Sequence, residues 1–457
     1  MRILIVANDV VSTRMAGPGI RCFEVGQQLS VAGHHVTVAG IEATDLESEH
    51  VTILPPLGLV AMEQLARSQD AILLEGFALE RYRSLRTLDV PLIVDLYDPF
   101  PLALLEQEAL RPIGERRGQE KRVRTALKDL LAAGDFFLCA SERQRDMWVG
   151  SLLLAGRINP DTWDANNSLR QLIDVVPFGV SDEPLPRRGG DFRQIMGPDV
   201  GSDDLVLLWG GGIYNWFDPL TLVRAVARAV PLLPQLKLVF MSTTHPQKGV
   251  PPRMWMPARA RELSDSLGLT GVHVLFHDEW VPYQERGQWL AAADCGVSTH
   301  FDHAETRYAF RTRILDYLWA GLPIICTDGD VFAELVREQR LGWVVPPEDE
   351  EALVRAILAL AESAAEREVM RSNVKRTAAG MTWSVVAAPL VRYCENPTRA
   401  ADLARHRRSQ SASRIRVGRR LVAALQLIRI GLKTLRAEGP LSTGKKAVRW
   451  WSRRPPH

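Results

Sequence analysis

The feature that most constrains this chain is an alternation, run through twice, of short apolar segments with helical stretches. The first series reads RILIVAND, HVTVAG, VTIL, AILLEG, PLIVDLYD, DFFLCAS and IDVVPFG; the second restarts at DLVLLWGGG and continues through LKLVFMST, VHVLFH, CGVSTH, PIICTDG and GWVV. Continuous β-branched runs mark strands covered on both faces, as when parallel strands are joined by helical crossovers. Each series therefore predicts its own doubly wound α/β sheet. At 457 residues the chain exceeds the roughly 250–300 residues at which a single core stops growing. Two domains facing each other across a cleft are expected, and the Pro, Gly and Asp-rich stretch at 180–204 supplies the break between them. The expected organisation is 1–182, 183–397 and a tail at 398–457.

Charge separates that tail from the rest. Residues 391–457 hold 17 Lys and Arg against 3 Asp and Glu, a net of +14, which leaves 39 against 51, or −12, for residues 1–390. Within the tail, Leu421, Leu425, Ile428, Leu432 and Leu435 share one helical face while Arg419, Arg429 and Lys433 lie off it, and Trp450 and Trp451 come near the end. A basic amphipathic segment of this kind suits an anionic membrane surface. A solvated or partner-bound tail ranks next, and nucleic acid is not expected. The five cysteines, Cys22, Cys139, Cys295, Cys326 and Cys394, are scattered and lack C-x-x-C spacing, which argues against a disulfide framework or a zinc site. No apolar run of 18 or more residues occurs. A cytoplasmic protein, peripheral on the inner face of the membrane through its tail, is the expectation.

In open parallel sheets ligands bind beyond the carboxyl ends of the strands, where a glycine turn entering a helix offers free N–H groups to anions. Two such turns occupy corresponding places. AGPGIR at 16–21 follows the first strand, with Gly17 and Gly19 for close approach and Arg21 as a cation; a purely steric turn is the competing reading. WGGGIYNWFDP places Gly210, Gly211 and Gly212 after the first strand of the second series, ahead of a helix start at Asp218-Pro219. Three glycines exceed what a turn needs and favour contact with a phosphate or sugar.

The most informative stretch is HFDHAETRYAFRTRILDYLWAGLP at 300–323, a charged loop running into a helix with one apolar face. Arg311 and Arg313 suit a diphosphate, because guanidinium is a planar fork of donors that stays charged. Asp316 could accept from ribose hydroxyls, or pair with one of those arginines. His300, His303 and nearby Glu305 do not follow a recognised metal-ligand spacing, and no metal is expected.

LDYLWAGLPII resembles the Leu-Glu-Ala-Met-Ala-x-Gly-x-Pro-Val-Ile helix of the family-four retaining glycosyltransferases. VVPFGV at 175–180 is similar to that family's interdomain strand end, and WVPYQERGQWLAAADCGVSTH at 280–300 to its base-binding loop, helix and strand. FRTRILDYLWAGLP and CASERQRDMW suggest a divergent subgroup. The resemblance implies the GT-B fold, two Rossmann-like domains across a cleft. It also implies retention of configuration, with a nucleoside-diphosphate sugar as substrate and no cofactor. By position it makes Asp316 the ribose-holding acid, puts Val281 against the base, and offers the amides of Ala309–Thr312 to the phosphates. The family's first Glu falls on Tyr308, leaving Glu305 as the nearest carboxylate, and its Arg and Lys after the first strand of the second domain are missing.

The reading that follows is transfer of a sugar to a glycan or lipid-linked acceptor in cell-surface polysaccharide or glycolipid synthesis. Arg311, Arg313, Thr312 and the glycine amides would surround the departing diphosphate. The acceptor would enter beside Gly17–Arg21 and the strand end Asp95–Asp98, with Asp98 or Asp95 orienting its hydroxyl or acting only as a turn former. A sugar-nucleotide epimerase and a non-catalytic partner subunit are the alternatives.

Overall fold

A computed structural model describes residues 1–185, 190–243 and 254–404. Every strand expected from the sequence forms. The first domain carries β1 (Arg2–Val6), β2 (His35–Ala39), β3 (Val51–Leu54), β4 (Ala71–Glu75), β5 (Leu92–Asp95), β6 (Phe136–Cys139) and β7 (Ile173–Val175). The second carries β8 (Leu205–Trp209), β9 (Leu236–Phe240), β10 (Val274–Phe276), β11 (Cys295–Ser298), β12 (Ile324–Thr327) and β13 (Gly342–Val345). All ladders are parallel, in the orders β3-β2-β1-β4-β5-β6-β7 and β10-β9-β8-β11-β12-β13. Burial explains why the runs were unbroken: β4, β5, β6, β9, β11 and β12 are buried along their whole length.

Each sheet starts near its middle and winds outward in both directions, so each has one point where the strand order reverses, between β1 and β4 and between β8 and β11. A crevice opens there beyond the carboxyl ends. The cavity is lined from residues 7–20 after β1, 97–98 after β5, 210–217 after β8 and 305–316 after β11.

The chain crosses between the domains a second time near its end. Val180 donates to Met381 O at 2.7 Å and accepts from Trp383 N at 3.1 Å, beside Gly179, where a Cβ would lie 2.5 Å from the Trp383 backbone. Helix Ala388–Glu395 then packs on the first domain, with Tyr393 stacked on Phe136 at 4.3 Å. The five cysteines are buried and free. Among the described residues no helix is long and apolar enough to cross a membrane. The described residues up to Ala400 form one unit. The basic amphipathic stretch proposed for the tail lies outside the described residues.

Candidate active site

The two crevices face each other and enclose a cavity of about 300 Å³. Of the candidate ligand- and acceptor-contacting residues, all but Gly19, Arg21 and Asp95 line it, and His300 and His303 lie outside the lining.

The second-domain wall is built on Tyr317, in helix Arg313–Ala320. Its ring lies where a Cβ on Gly296 would come within 2.2 Å, so β11 needs glycine there. Its hydroxyl accepts from Gly210 N at 2.9 Å and faces the Leu208 and Val297 carbonyls at 3.0 and 2.8 Å. The hydroxyl thereby pins the end of β8, and the Gly210 amide is spent inside the protein; the expectation that it serves a ligand is corrected. Gly211 adopts φ +78°, open to glycine, and a Cβ on it would meet nothing within 4 Å. The amides of Gly211 and Gly212 have no hydrogen-bond partner among the described residues.

Arg313 lies beneath this turn. Its guanidinium is stacked between Trp209 and Phe217, 4.4 and 4.0 Å from the ring centres, and Nη2 donates to Gly212 O at 2.7 Å. Nη1 is buried with no hydrogen-bond partner among the described residues. Burial pulls the guanidinium down to about 10, which still leaves it charged at neutral pH.

The other two arginines are committed. Arg311 meets Glu305 in a buried fork, Nη1 to Oε1 at 3.0 Å and Nη2 to Oε2 at 2.6 Å, with Phe217 4.9 Å from the guanidinium. The phosphate cation and the carboxylate nearest the family's first Glu, offered separately by the sequence, neutralise each other. Asp316 pairs with neither Arg311 nor Arg313. It accepts from Arg286 Nε at 3.1 Å, and that guanidinium lies between the Tyr283 and Trp319 rings.

The first-domain wall has the opposite character. Asp98 makes no hydrogen bond or ion pair among the described residues. Burial, with the nearby Glu305 charge adding to it, pushes its carboxyl up to about 7 against the pull of Arg311. Asp9, 9% exposed, follows β1 and caps Val10 N at 2.7 Å; burial pushes it up to about 6. Behind them Glu75, held by Asn8 N at 2.7 Å, is pushed by burial to about 8. Arg21 does not line the cavity, although its charge offsets part of the shift at Glu75. Fully buried, it grips Asp95 through Nε at 2.6 Å and Nη2 at 3.0 Å and donates to Val176 O at 2.7 Å. This corrects the reading of Arg21 as a ligand cation and of Asp95 as an acceptor group. Gly19 serves packing, since a Cβ there would lie 2.0 Å from Val10 O. Gly17, at the open first turn of helix Gly17–Val31, does face the cavity.

Residues 205–363, most of the second domain, match the family described as Glycosyl transferases group 1. The chain is similar over 87 residues, at 30% identity, to the phosphatidyl-myo-inositol mannosyltransferase of Mycobacterium leprae (strain TN); that stretch is 19% of this chain and 23% of the relative, so the match spans under a quarter of that protein. Among solved structures, the sucrose-phosphate synthase (tll1590) of Thermosynechococcus elongatus superposes with a TM-score of 0.63 at 16% identity, over 86% of this chain and 98% of that one. Anabaena Alr3699/HepE, in complex with UDP and glucose, superposes with a TM-score of 0.65 at 16% identity, over 86% and 99%. WaaG, a glycosyltransferase involved in lipopolysaccharide biosynthesis, gives 0.60 at 13% identity, over 85% and 98%. This chain has the GT-B fold.

Several residues of this GT-B cavity escaped the sequence reading. Asp9 carried a signal, being the first carboxylate past β1, in the place that the glycine turn holds after β8. Arg286 sits within WVPYQERGQW, but its partner Asp316 is 30 residues away. Trp280 Nε1 donates to Met15 O at 3.0 Å and Tyr283 donates to Glu24 at 2.6 Å, so the 280–283 loop closes the cleft against the first domain. The CASERQRDMW motif closes the other side: Ser141 caps its helix by accepting from Gln144 N at 3.1 Å, and Gln144 Nε2 donates to Tyr308 O at 2.8 Å. His303 caps helix Ala304–Tyr308, and His300 lies 3.6 Å from Asp330. Val281 and Thr312 line the cavity.

Proposed function

We propose that this chain transfers a sugar from a nucleoside-diphosphate sugar to a glycan or lipid-linked acceptor, with retention and without a metal. One observation carries the reading: a buried arginine with no carboxylate partner among the described residues, its Nη1 unsatisfied, lies beneath a glycine turn at the interdomain cavity. A buried cation without a counterion is costly. A pyrophosphate would supply the missing charge and receive hydrogen bonds from Arg313, from the Gly211 and Gly212 amides and from the first turn at Gly17. As the glycosidic bond breaks, negative charge builds on the leaving oxygens, and these fixed donors stabilise it without rearranging. Asp316, held by Arg286 and still 31% exposed as a side chain, is free to accept from ribose, with Val281 beside the base.

The neighbours support a nucleotide donor: Anabaena Alr3699/HepE was solved with UDP-glucose, and the trehalose-6-phosphate protein of E. coli with UDP-2-fluoro glucose. Membrane association and a role in cell-surface glycan synthesis belong to the same proposal and rest on the tail's composition.

Calorimetric titration with UDP, GDP and ADP tests the donor site. At least one should bind, and Arg313→Met should weaken it by about 10- to 100-fold, as expected for losing charge-assisted hydrogen bonds. Arg313→Lys should recover part of the loss. Equal binding by all three proteins would overturn the role of Arg313. Release of free nucleoside diphosphate only when acceptor is present separates transfer from epimerisation.

A further inference from the structure

The two walls of the cavity differ in charge, and the difference bears on the acceptor. All three arginines that line it, Arg286, Arg311 and Arg313, come from the second domain. The first-domain lining contains Asp9 and Asp98 and no basic side chain. Of the first-domain cations near it, Arg21 is fully buried and held by both oxygens of Asp95, and Arg14 lies exposed at the rim against Glu279. The one positive feature on that side, the helix start at Gly17, is committed to the donor pyrophosphate in the proposal above.

Resting on that reading, we infer that the acceptor presents an uncharged, hydroxyl-bearing sugar end to Asp9 and Asp98, and that an end group carrying phosphate or carboxylate is refused. A hydroxyl can donate to a carboxylate, whereas an ionised phosphate or carboxylate has no proton to give. An anion placed here would face two acidic side chains, each ionised at least in part at neutral pH, with no basic side chain lining its own wall. Both oxygens of Asp98 are uncommitted among the described residues, while Asp9 spends one on Val10 N, so between them they can receive neighbouring hydroxyls. Met15, Ile20 and Phe178 line the same side and offer apolar surface to the C–H face of a pyranose ring. Asp9 and Asp98 are thus specificity-determining residues at the acceptor end.

The test uses the full chain saturated with whichever nucleoside diphosphate it binds. Methyl α-glucoside, methyl α-mannoside, methyl α-galactoside and their 6-phosphates are titrated, with ligand-observed NMR reading occupancy. At least one neutral glycoside should bind, at least tenfold more tightly than its phosphate. Asp9→Asn/Asp98→Asn should narrow that ratio by at least threefold, while each substitution leaves nucleoside diphosphate affinity within twofold. Phosphates binding as tightly as the neutral sugars, no neutral glycoside binding at all, or an unchanged ratio in the double variant would each overturn the inference. Failure of the wild type to bind any nucleoside diphosphate would instead defeat the donor proposal, and that titration is read separately.

Discussion

Glu305 and Asp98 are carboxylates on opposite walls of one cavity, near enough for Asp98 to feel the Glu305 charge, yet the protein treats them in opposite ways. Glu305 is 3% exposed and fully engaged by Arg311. Asp98 has no partner, and its carboxyl is pushed to about 7. The same side chain chemistry is therefore structural on one wall and available on the other. What separates the two is whether a guanidinium has been built to meet the carboxylate, since burial raises the cost of charge on both sides.

Removing one member of the paired wall should have the largest effect. Glu305→Gln leaves the Arg311 guanidinium buried without its counterion, a change that typically costs about 3–5 kcal/mol, read by denaturant or thermal unfolding. Asp98 offers a partial rescue, because it already senses Arg311. In Glu305→Gln, then, the Asp98 carboxyl should fall below its present value, and Glu305→Gln/Asp98→Asn should lose more stability than the two single changes predict. Simple additivity would show that the two walls do not communicate.

The unpaired wall should respond with the opposite sign. Because the folded state raises the Asp98 carboxyl from 3.8 to about 7, folding favours its protonated form. The stability linked to this group is fully present below about pH 4 and is lost as pH rises to about 7. Asparagine cannot ionise, so Asp98→Asn should match wild type near pH 4 and be more stable above pH 7, by on the order of 2–4 kcal/mol. Melting temperatures across pH 4–8 check this. A variant less stable than wild type at pH 8 would mean that the Asp98 carboxylate has a stabilising partner within the fold. Gaining stability while losing acceptor recognition is the pattern expected where a site retains a costly group for function.

The same contrast explains what the sequence could reveal. The thirteen strands were legible because each is a local run of apolar residues, and burial on both faces leaves no polar interruption to blur it. The glycine turn after β8 and the charged entrance to helix Arg313–Ala320 were legible as composition at the right place in a parallel sheet. Pairing was not. Arg311 and Arg313 stand two residues apart and look interchangeable, but one turns to Glu305 and the other passes between Trp209 and Phe217 to reach Gly212. Arg21 and Gly17 are four residues apart in one motif, yet Gly17 faces the cavity and Arg21 the core beside Asp95. Which guanidinium is spent internally depends on contacts up to 155 residues distant, as between Arg21 and Val176, and no local pattern encodes that.

The smallest effect is expected at the rim, where the two domains also meet through charge. Arg14 of the first domain approaches Glu279 of the second at 3.7 Å, with side chains 55% and 78% exposed. Solvent screens such a pair, and the entropy of fixing two long side chains offsets most of its attraction, so exposed pairs contribute about 0–1 kcal/mol. A few residues away Tyr283 donates to Glu24 at 2.6 Å and Trp280 donates to Met15 O at 3.0 Å, both from partly buried positions. If these carry the closure, Arg14→Ala should shift neither the melting temperature nor nucleotide affinity measurably, in low salt or high. A salt-sensitive loss of affinity in Arg14→Ala would show instead that long-range charge between the domains helps hold the cleft shut, and the contrast between its walls would then extend out to its edge.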